Sequence, residues 1–262
     1  MRTMRSGGRA AGTRSVGGGV RLLTDPTFDA PGDYPMGDRR LVKTAGPALT
    51  ADETGAVGAV LLSHDQHPDN LDRAGRAYLG RVPLALSTAA ARERLGPSVT
   101  ALPNGETYEI GAVRVTGVRA QHGPDGTDHL TGFVLRGEGL PTVYVSGDNA
   151  SLDVVREVAG RFGPVDVAVL FAGGARTPLL GDAYLTLPSA AAAEAARILG
   201  ARHVVPLHFG HWGHFSQGPD TVVDAFAEAG LSERLHLPAA GETITFQVSS
   251  GDAVGLDGIV AQ

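Results

Sequence analysis

The chain has 262 residues, 42% of them hydrophobic, with a formal net charge of -6 and no cysteine. That length and apolar content suffice for one large domain, and no apolar run approaches the roughly 18 residues of a membrane span. The acidic balance and the lack of long Lys/Arg runs argue against nucleic acid as a partner. The missing cysteines exclude disulfides, thiolate ligands and a cysteine nucleophile, so any metal must be held by nitrogen and oxygen. No Gly-x-Ser-x-Gly elbow, Gly-x-Gly-x-x-Gly or P-loop occurs, which argues against serine esterases, dinucleotide enzymes and nucleoside triphosphatases. The expectation is a soluble cytoplasmic protein that meets a small molecule.

Met1 to Gly19 set four arginines among glycines and serines with little to bury, which predicts a poorly ordered tail or frayed edge strand and no secretion signal. Residues 26–47, with Pro26, Pro31 and Pro35, read as a long irregular connection, either a binding loop or a surface wrap. Val57 to Leu62 is a buried strand, and an amphipathic helix starts near Asn70, with Asp69 or Asn70 as a candidate cap. Val82 to Ser87 is a strand and Thr88 to Leu95 a helix. Residues 106–119 and 131–136 are antiparallel strands. Thr142 to Ser146 is a strand, Val154 to Phe162 a helix, and Val165 to Phe171 a buried strand. Ser189 to Leu199 is an Ala-rich helix, His203 to Leu207 a strand, and Pro219 to Ala229 a helix with proline in its first turn. From Ser249 the chain reads as a loose tail. These elements alone support α/β or α+β.

Polar ligand-type residues recur just after the strand-like runs. Ser63-His64-Asp65-Gln66-His67-Pro68-Asp69-Asn70-Leu71-Asp72 follows the first, and His122, Asp148 and His208 follow three others. One such residue is commonly a turn or cap. Four at equivalent positions predict convergence at one sheet edge, where imidazoles and carboxylates suit Zn²⁺, Mn²⁺ or Fe²⁺ and one carboxylate can serve two ions. Two loops are candidate pocket walls: residues 172–186, whose Arg176 is a candidate anion contact, and His208 to Phe215, with three histidines, two phenylalanines and the only tryptophan, Trp212.

Taken in order, Leu23-Thr24-Asp25-Pro26, Ser63 to Asp72, Gln121-His122-Gly123, Ser146-Gly147-Asp148-Asn149 and Pro206-Leu207-His208-Phe209 resemble the metallo-β-lactamase superfamily, in its UlaG-like and phospholipase-D-like branch. The resemblance implies an α+β four-layer αββα sandwich, with a catalytic domain over residues 20–248 between the two tails. The family's first motif, His-x-His-x-Asp-His, is altered here. Aligned on Asp69-Asn70, His67 takes the second histidine, Asp65 the first and Asn70 the last. Aligned on Ser63-His64, His64 keeps the first place, Gln66 takes the second, and one residue is inserted before Asp69. Both registers stay open.

The implied ligand set is His64 or Asp65 with His67 and His122 on one ion, Asp148 bridging, and Asp69 and His208 at a second position. The cofactor is one or two ions, Zn²⁺ first, with Mn²⁺ or Fe²⁺ as alternatives. Asn70, a neutral and weak donor, leaves that second position weak or empty. The implied chemistry is attack by a metal-bound hydroxide on an ester, lactone, thioester or phosphodiester of a small molecule, with Asp69 or His211 carrying the proton. Gln66 and Asn70 motivate an alternative, a repurposed fold that binds a small molecule or assists a non-hydrolytic biosynthetic step. A third reading is a metal sensor built on His208, His211 and His214.

Overall fold

The computed structural model describes residues 13–16, 20–124, 130–246 and 256–259. Among these, the strands of the first half are β1 (Thr13–Val16), β2 (Val20–Thr24), β3 (Gly32–Met36), β4 (Arg39–Lys43), β5 (Ala59–Leu61), β6 (Ala85–Ser87) and β7 (Thr100–Ala101). The second half supplies β8 (Thr107–Ile110), β9 (Val113–Arg119), β10 (Thr131–Arg136), β11 (Val143–Val145), β12 (Val167–Phe171) and β13 (His203–Leu207), before β14 (Ile244–Phe246) and β15 (Leu256–Ile259) return to the first sheet. The helices are α1 (Arg73–Tyr78), α2 (Ala89–Leu95), α3 (Leu152–Phe162), α4 (Ser189–Ile198) and α5 (Pro219–Glu228).

The strands form two mixed sheets, ordered β14-β15-β1-β2-β5-β6-β7 and β13-β12-β11-β10-β9-β8, with β3-β4 as a separate hairpin. Strand alternation explains how the sheets stack. Along β12, Val167, Val169 and Phe171 face the other sheet, in one core with Leu22, Leu61 and Leu86, whereas Ala168 and Leu170 join the helix side. Both faces of the strand are therefore apolar, which is why its sequence shows no polar alternation. On the outside, the small Ala192, Ala193, Ala195 and Ala196 of α4 pack with Val155 of α3, Phe226 of α5 and Val204 of β13. On the opposite outside, Leu71, Tyr78 and Leu79 cover Leu23 and Val60. The result is the four-layer αββα sandwich. Among the described residues, no helix is long and apolar enough to cross a membrane.

Strands β2 and β5 run parallel, as do β11, β12 and β13, while β10 is antiparallel to both β9 and β11. The carboxyl ends of β9, β11 and β13 thus share one edge. A bond from Thr131 N to Ser63 O (3.0 Å) brings the end of β5 to the same place.

Four expectations are corrected. Residues 26–47 are not wholly irregular: Gly37-Asp38 forms a two-residue turn between β3 and β4, and Pro35 is accommodated on this isolated hairpin. The cap of α1 is Asp72, whose side chain accepts from Gly75 N at 2.8 Å, rather than Asp69 or Asn70. Within the expected amino-terminal tail, Thr13–Val16 is a strand held between β2 and β15, not an edge; residues 1–12 and 17–19 lie outside the described residues. Within the expected carboxyl-terminal tail, Leu256–Ile259 pairs with both β1 and β14; residues 249–255 and 260–262 are not among the described residues.

Candidate metal centre

The loop after β5 turns sharply because Ser63 N donates to Asp25 Oδ1 at 2.7 Å, from a residue held at φ 42° after β2. Ser63 Oγ then lies 3.0 Å from His64 Nδ1, leaving His64 Nε2 to face the cavity. That nitrogen is 2.9 Å from His67 Nδ1 and 3.9 Å from Asp148 Oδ2, and His122 Nδ1 reaches the same Asp148 oxygen at 3.7 Å. The other oxygen of Asp148 lies 3.2 Å from His208 Nε2, which in turn is 3.3 Å from Asp69 Oδ2. His64, His67 and Asp148 form one group of donors within 4.8 Å of one another; Asp69, Asp148 and His208 form another. Asp148 belongs to both.

Local backbone explains why these side chains meet. Gly147 has φ 56°, and a Cβ there would stand 2.9 Å from Thr131 O, so glycine alone permits the turn that aims Asp148 inward. His208 has φ 59°, and its ring is stacked on Phe171 and edged by Phe215, both at 4.7 Å between centroids. The His122 loop is tied to the Asp148 loop by Gln121 N to Asn149 Oδ1 (3.1 Å) and Ala150 N to Gln121 O (2.7 Å).

The open register question has a geometric answer. Asp65 turns away from the centre and takes a bidentate grip from Arg94, with Nε to Oδ2 at 2.9 Å and Nη2 to Oδ1 at 2.6 Å. Of the two alternatives, His64 or Asp65, it is His64 whose side chain turns toward His67 and Asp148, while Asp65 turns away to Arg94. Nor is His211 brought to the cluster. Its backbone oxygen accepts from Thr44 N at 2.7 Å, and burial, then the nearby Lys43, lower its pKa. The histidine that does arrive is His214, with Nε2 at 3.0 Å from Asp69 Oδ2. In the sequence His214 enters only the metal-sensor reading, beside His208 and His211, and not the hydrolase ligand set; a further signal is its place two residues beyond Trp212, which packs inward on Tyr34 and Lys43.

The donor set fits a cation. Buried Asp69 Oδ1, His122 Nδ1 and His208 Nε2 have no hydrogen-bond partner, a clustering of unmet polar atoms that a positive ion answers. Donors about 2.1 Å from a tetrahedral ion stand about 3.4 Å apart, close to the spacings here. Burial drives the His64 pKa down to about 3, so its ring is neutral and has a lone pair to give. Burial opposes the charge of Asp69 and Asp148 too, but neighbouring histidines outweigh it and hold both carboxyls below their ordinary range. For His208 burial lowers and the Asp148 and Asp69 carboxylates raise, with a net rise to about 9. The carboxylates that raise the His208 pKa favour positive charge at the same place.

The centre opens on a pocket of about 640 Å³, whose floor includes His67, Asp69, His122 and His214. One wall is the β3–β4 hairpin with Met36 and Leu41; the other is the 176–185 loop with Pro178, Leu179, Leu180 and Leu185. Arg39 of the hairpin bonds Thr177 of the loop, joining the walls. Arg176 also lines the pocket and pairs with Asp182 at 2.6 Å.

The chain matches the Beta-lactamase superfamily domain over residues 20–209. It is 34% identical over 152 residues to a UPF0173 metal-dependent hydrolase of Rubrobacter xylanophilus, covering 55% of this chain and 59% of that protein. It is 30% identical over 233 residues to another of that name from Anaeromyxobacter dehalogenans, covering 81% of this chain and 76% of that one. Among solved structures, an isothiocyanate hydrolase from Delia radicum gut bacteria superposes with a TM-score of 0.76 at 20% identity, over 91% of this chain and 97% of the other.

Proposed function

The chain belongs to the beta-lactamase superfamily, among its metal-dependent hydrolases, and from that premise we propose that it cleaves an ester, lactone, thioester or phosphodiester of a small, largely apolar molecule. The observation that carries this reading is the pair of donor groups that share Asp148 and reach the pocket floor through His67 and Asp69. The order of the motifs supports the UlaG-like and phospholipase-D-like branch. The nitrogen and oxygen donors favour Zn²⁺, with Mn²⁺ or Fe²⁺ as alternatives. A cytoplasmic setting belongs to the same proposal.

His64, His67 and His122 hold the first position, Asp148 stands between, and Asp69 with His208 holds the second. Divalent ions bound there supply Lewis acidity, which brings the pKa of water to near 7 and stabilises a developing oxyanion. The residues do the rest. Asp69 keeps one oxygen free of any hydrogen-bond partner at the pocket floor, where it can take a proton and pass it to the leaving group. The apolar walls bury the substrate body and keep bulk water from the reacting group. Burial of a drug-sized ligand typically uses pockets of about 300–1,000 Å³, a range that includes this one.

A screen of aryl esters, lactones, thioesters and phosphodiesters with Zn²⁺ or Mn²⁺ tests the reading. An isothiocyanate belongs in the screen because the similar solved enzyme is named for one. Turnover that a chelator abolishes and metal restores is the expected result; no turnover with any metal favours the repurposed fold.

A further inference from the structure

The second position lacks the imidazole that the motif places directly after its aspartate. Asn70 stands there, fully buried, with Nδ2 at 3.3 Å from Asp148 Oδ1, 3.4 Å from Ser63 Oγ and 3.5 Å from Asp25 Oδ2. Facing two carboxylates, the amide presents its N–H groups; the flipped amide would set oxygen against oxygen. In this orientation Asn70 has no lone pair to offer an ion shared with Asp148, and its Oδ1 is buried without a partner.

On the other side of Asp69 an imidazole is already in place. His214 Nε2 lies 3.0 Å from Asp69 Oδ2, the oxygen that His208 Nε2 approaches at 3.3 Å. These are spacings of donors around one ion, whose edges are about 3.4 Å. His214 is 15% exposed and lines the pocket. Its loop is fixed by a bridge between Lys43 and Trp212 and by Gly213 N to Val42 O at 2.9 Å. The Phe215 ring packs on the imidazole at 4.4 Å between centroids.

We propose that His214 supplies the imidazole missing at residue 70, so that the second divalent cation is held by Asp69, Asp148, His208 and His214. The inference rests on the metal-hydrolase reading of the same centre. Asp69, Asp148 and His208 offer donor atoms within 4.8 Å of one another; His214 stands outside that group but reaches the Asp69 oxygen that His208 approaches, and it lines the pocket. Two ligands of that ion then come from one loop, His208 to Phe215, instead of from the loop after β5.

The test is metal content by elemental analysis on the full chain, purified without a His-tag and equilibrated with Zn²⁺ or Mn²⁺. His214→Ala and the bulkier His214→Gln are compared with His211→Ala, and thermal unfolding confirms that each is folded. Two equivalents in the parent and in His211→Ala, with one in both His214 variants, is the expected result. Two equivalents retained in a folded His214 variant overturn the assignment and leave the hydrolase reading intact. One equivalent in the parent overturns it as well, in favour of a mononuclear centre. No metal in the parent overturns the hydrolase reading itself.

Discussion

The two halves of the centre reach an ion in different states. The proposed first position rests on the imidazoles of His64, His67 and His122, and burial lowers the His64 pKa to about 3. The second leans on carboxylates, which hold His208 protonated up to about pH 9. A neutral cluster in a dry place is ready for a cation, whereas the acidic half neutralises itself with a proton until one arrives. The difference predicts that the imidazole-rich position fills before the carboxylate-rich one near neutral pH.

The strongest way to break the comparison is to remove what both halves share. Asp148→Asn is expected to lose both equivalents of metal and to cut hydrolysis at least ~10²-fold; a variant that keeps either ion would show that the halves are independent.

The next largest effect is on pH dependence. Below about pH 9 an ion entering the second position must displace the proton of His208, so its apparent affinity climbs as pH rises toward about 9, by about tenfold per unit. The first ion follows a much flatter course over the same range. Calorimetry in buffers of different ionisation heats reads this as one proton released with the second ion; equal release with both would remove the distinction. The metal-free chain carries the same asymmetry. His208, raised above its ordinary 6.5, contributes stability that is complete below 6.5 and lost as pH climbs to about 9. His64, lowered from 6.5, contributes stability that is present above 6.5 and lost as pH falls toward about 3.

Smaller effects sharpen the geometry. Asp65→Asn loosens the Arg94 grip but is expected to keep both equivalents, weakening the first ion by no more than about tenfold. Loss of the first equivalent would restore Asp65 as a ligand. Smallest of all, His211→Ala should leave turnover within about twofold of the parent, and a shifted pH–rate profile would return it to the site.

These cases show what a sequence discloses. His122, Asp148 and His208 were legible because each follows an apolar run, and parallel strands deliver their carboxyl ends to one edge. The choice between His64 and Asp65 was not legible, since a one-residue shift reverses which neighbour faces inward and both are ligand types. Which of His211 and His214 faces the cluster was not legible, because the loop's direction is set by pairing with β4, far off in the chain. The hairpin was hidden by its prolines, though Gly37-Asp38 is a two-residue turn sequence. The first and last strands pair Ser15 with Asp257, a contact that no local pattern announces.

Asp72 supplies no metal ligand, yet its carboxylate caps α1, accepts from Asp29 N at 2.7 Å and pairs with buried Lys43 at 2.9 Å, beneath Trp212. The hairpin therefore has a buried, charge-paired root and an exposed tip that Arg39 ties to Thr177. Breaking the root by removing either charge costs about 3–5 kcal/mol and loosens the strand against which the His214 loop is laid. The tip, around Met36 and Arg39, lines the pocket and lies outside both donor groups. For anyone redesigning this enzyme, selectivity can be grafted at the tip as an interchangeable part, provided that the Lys43 end of the graft is carried over unchanged.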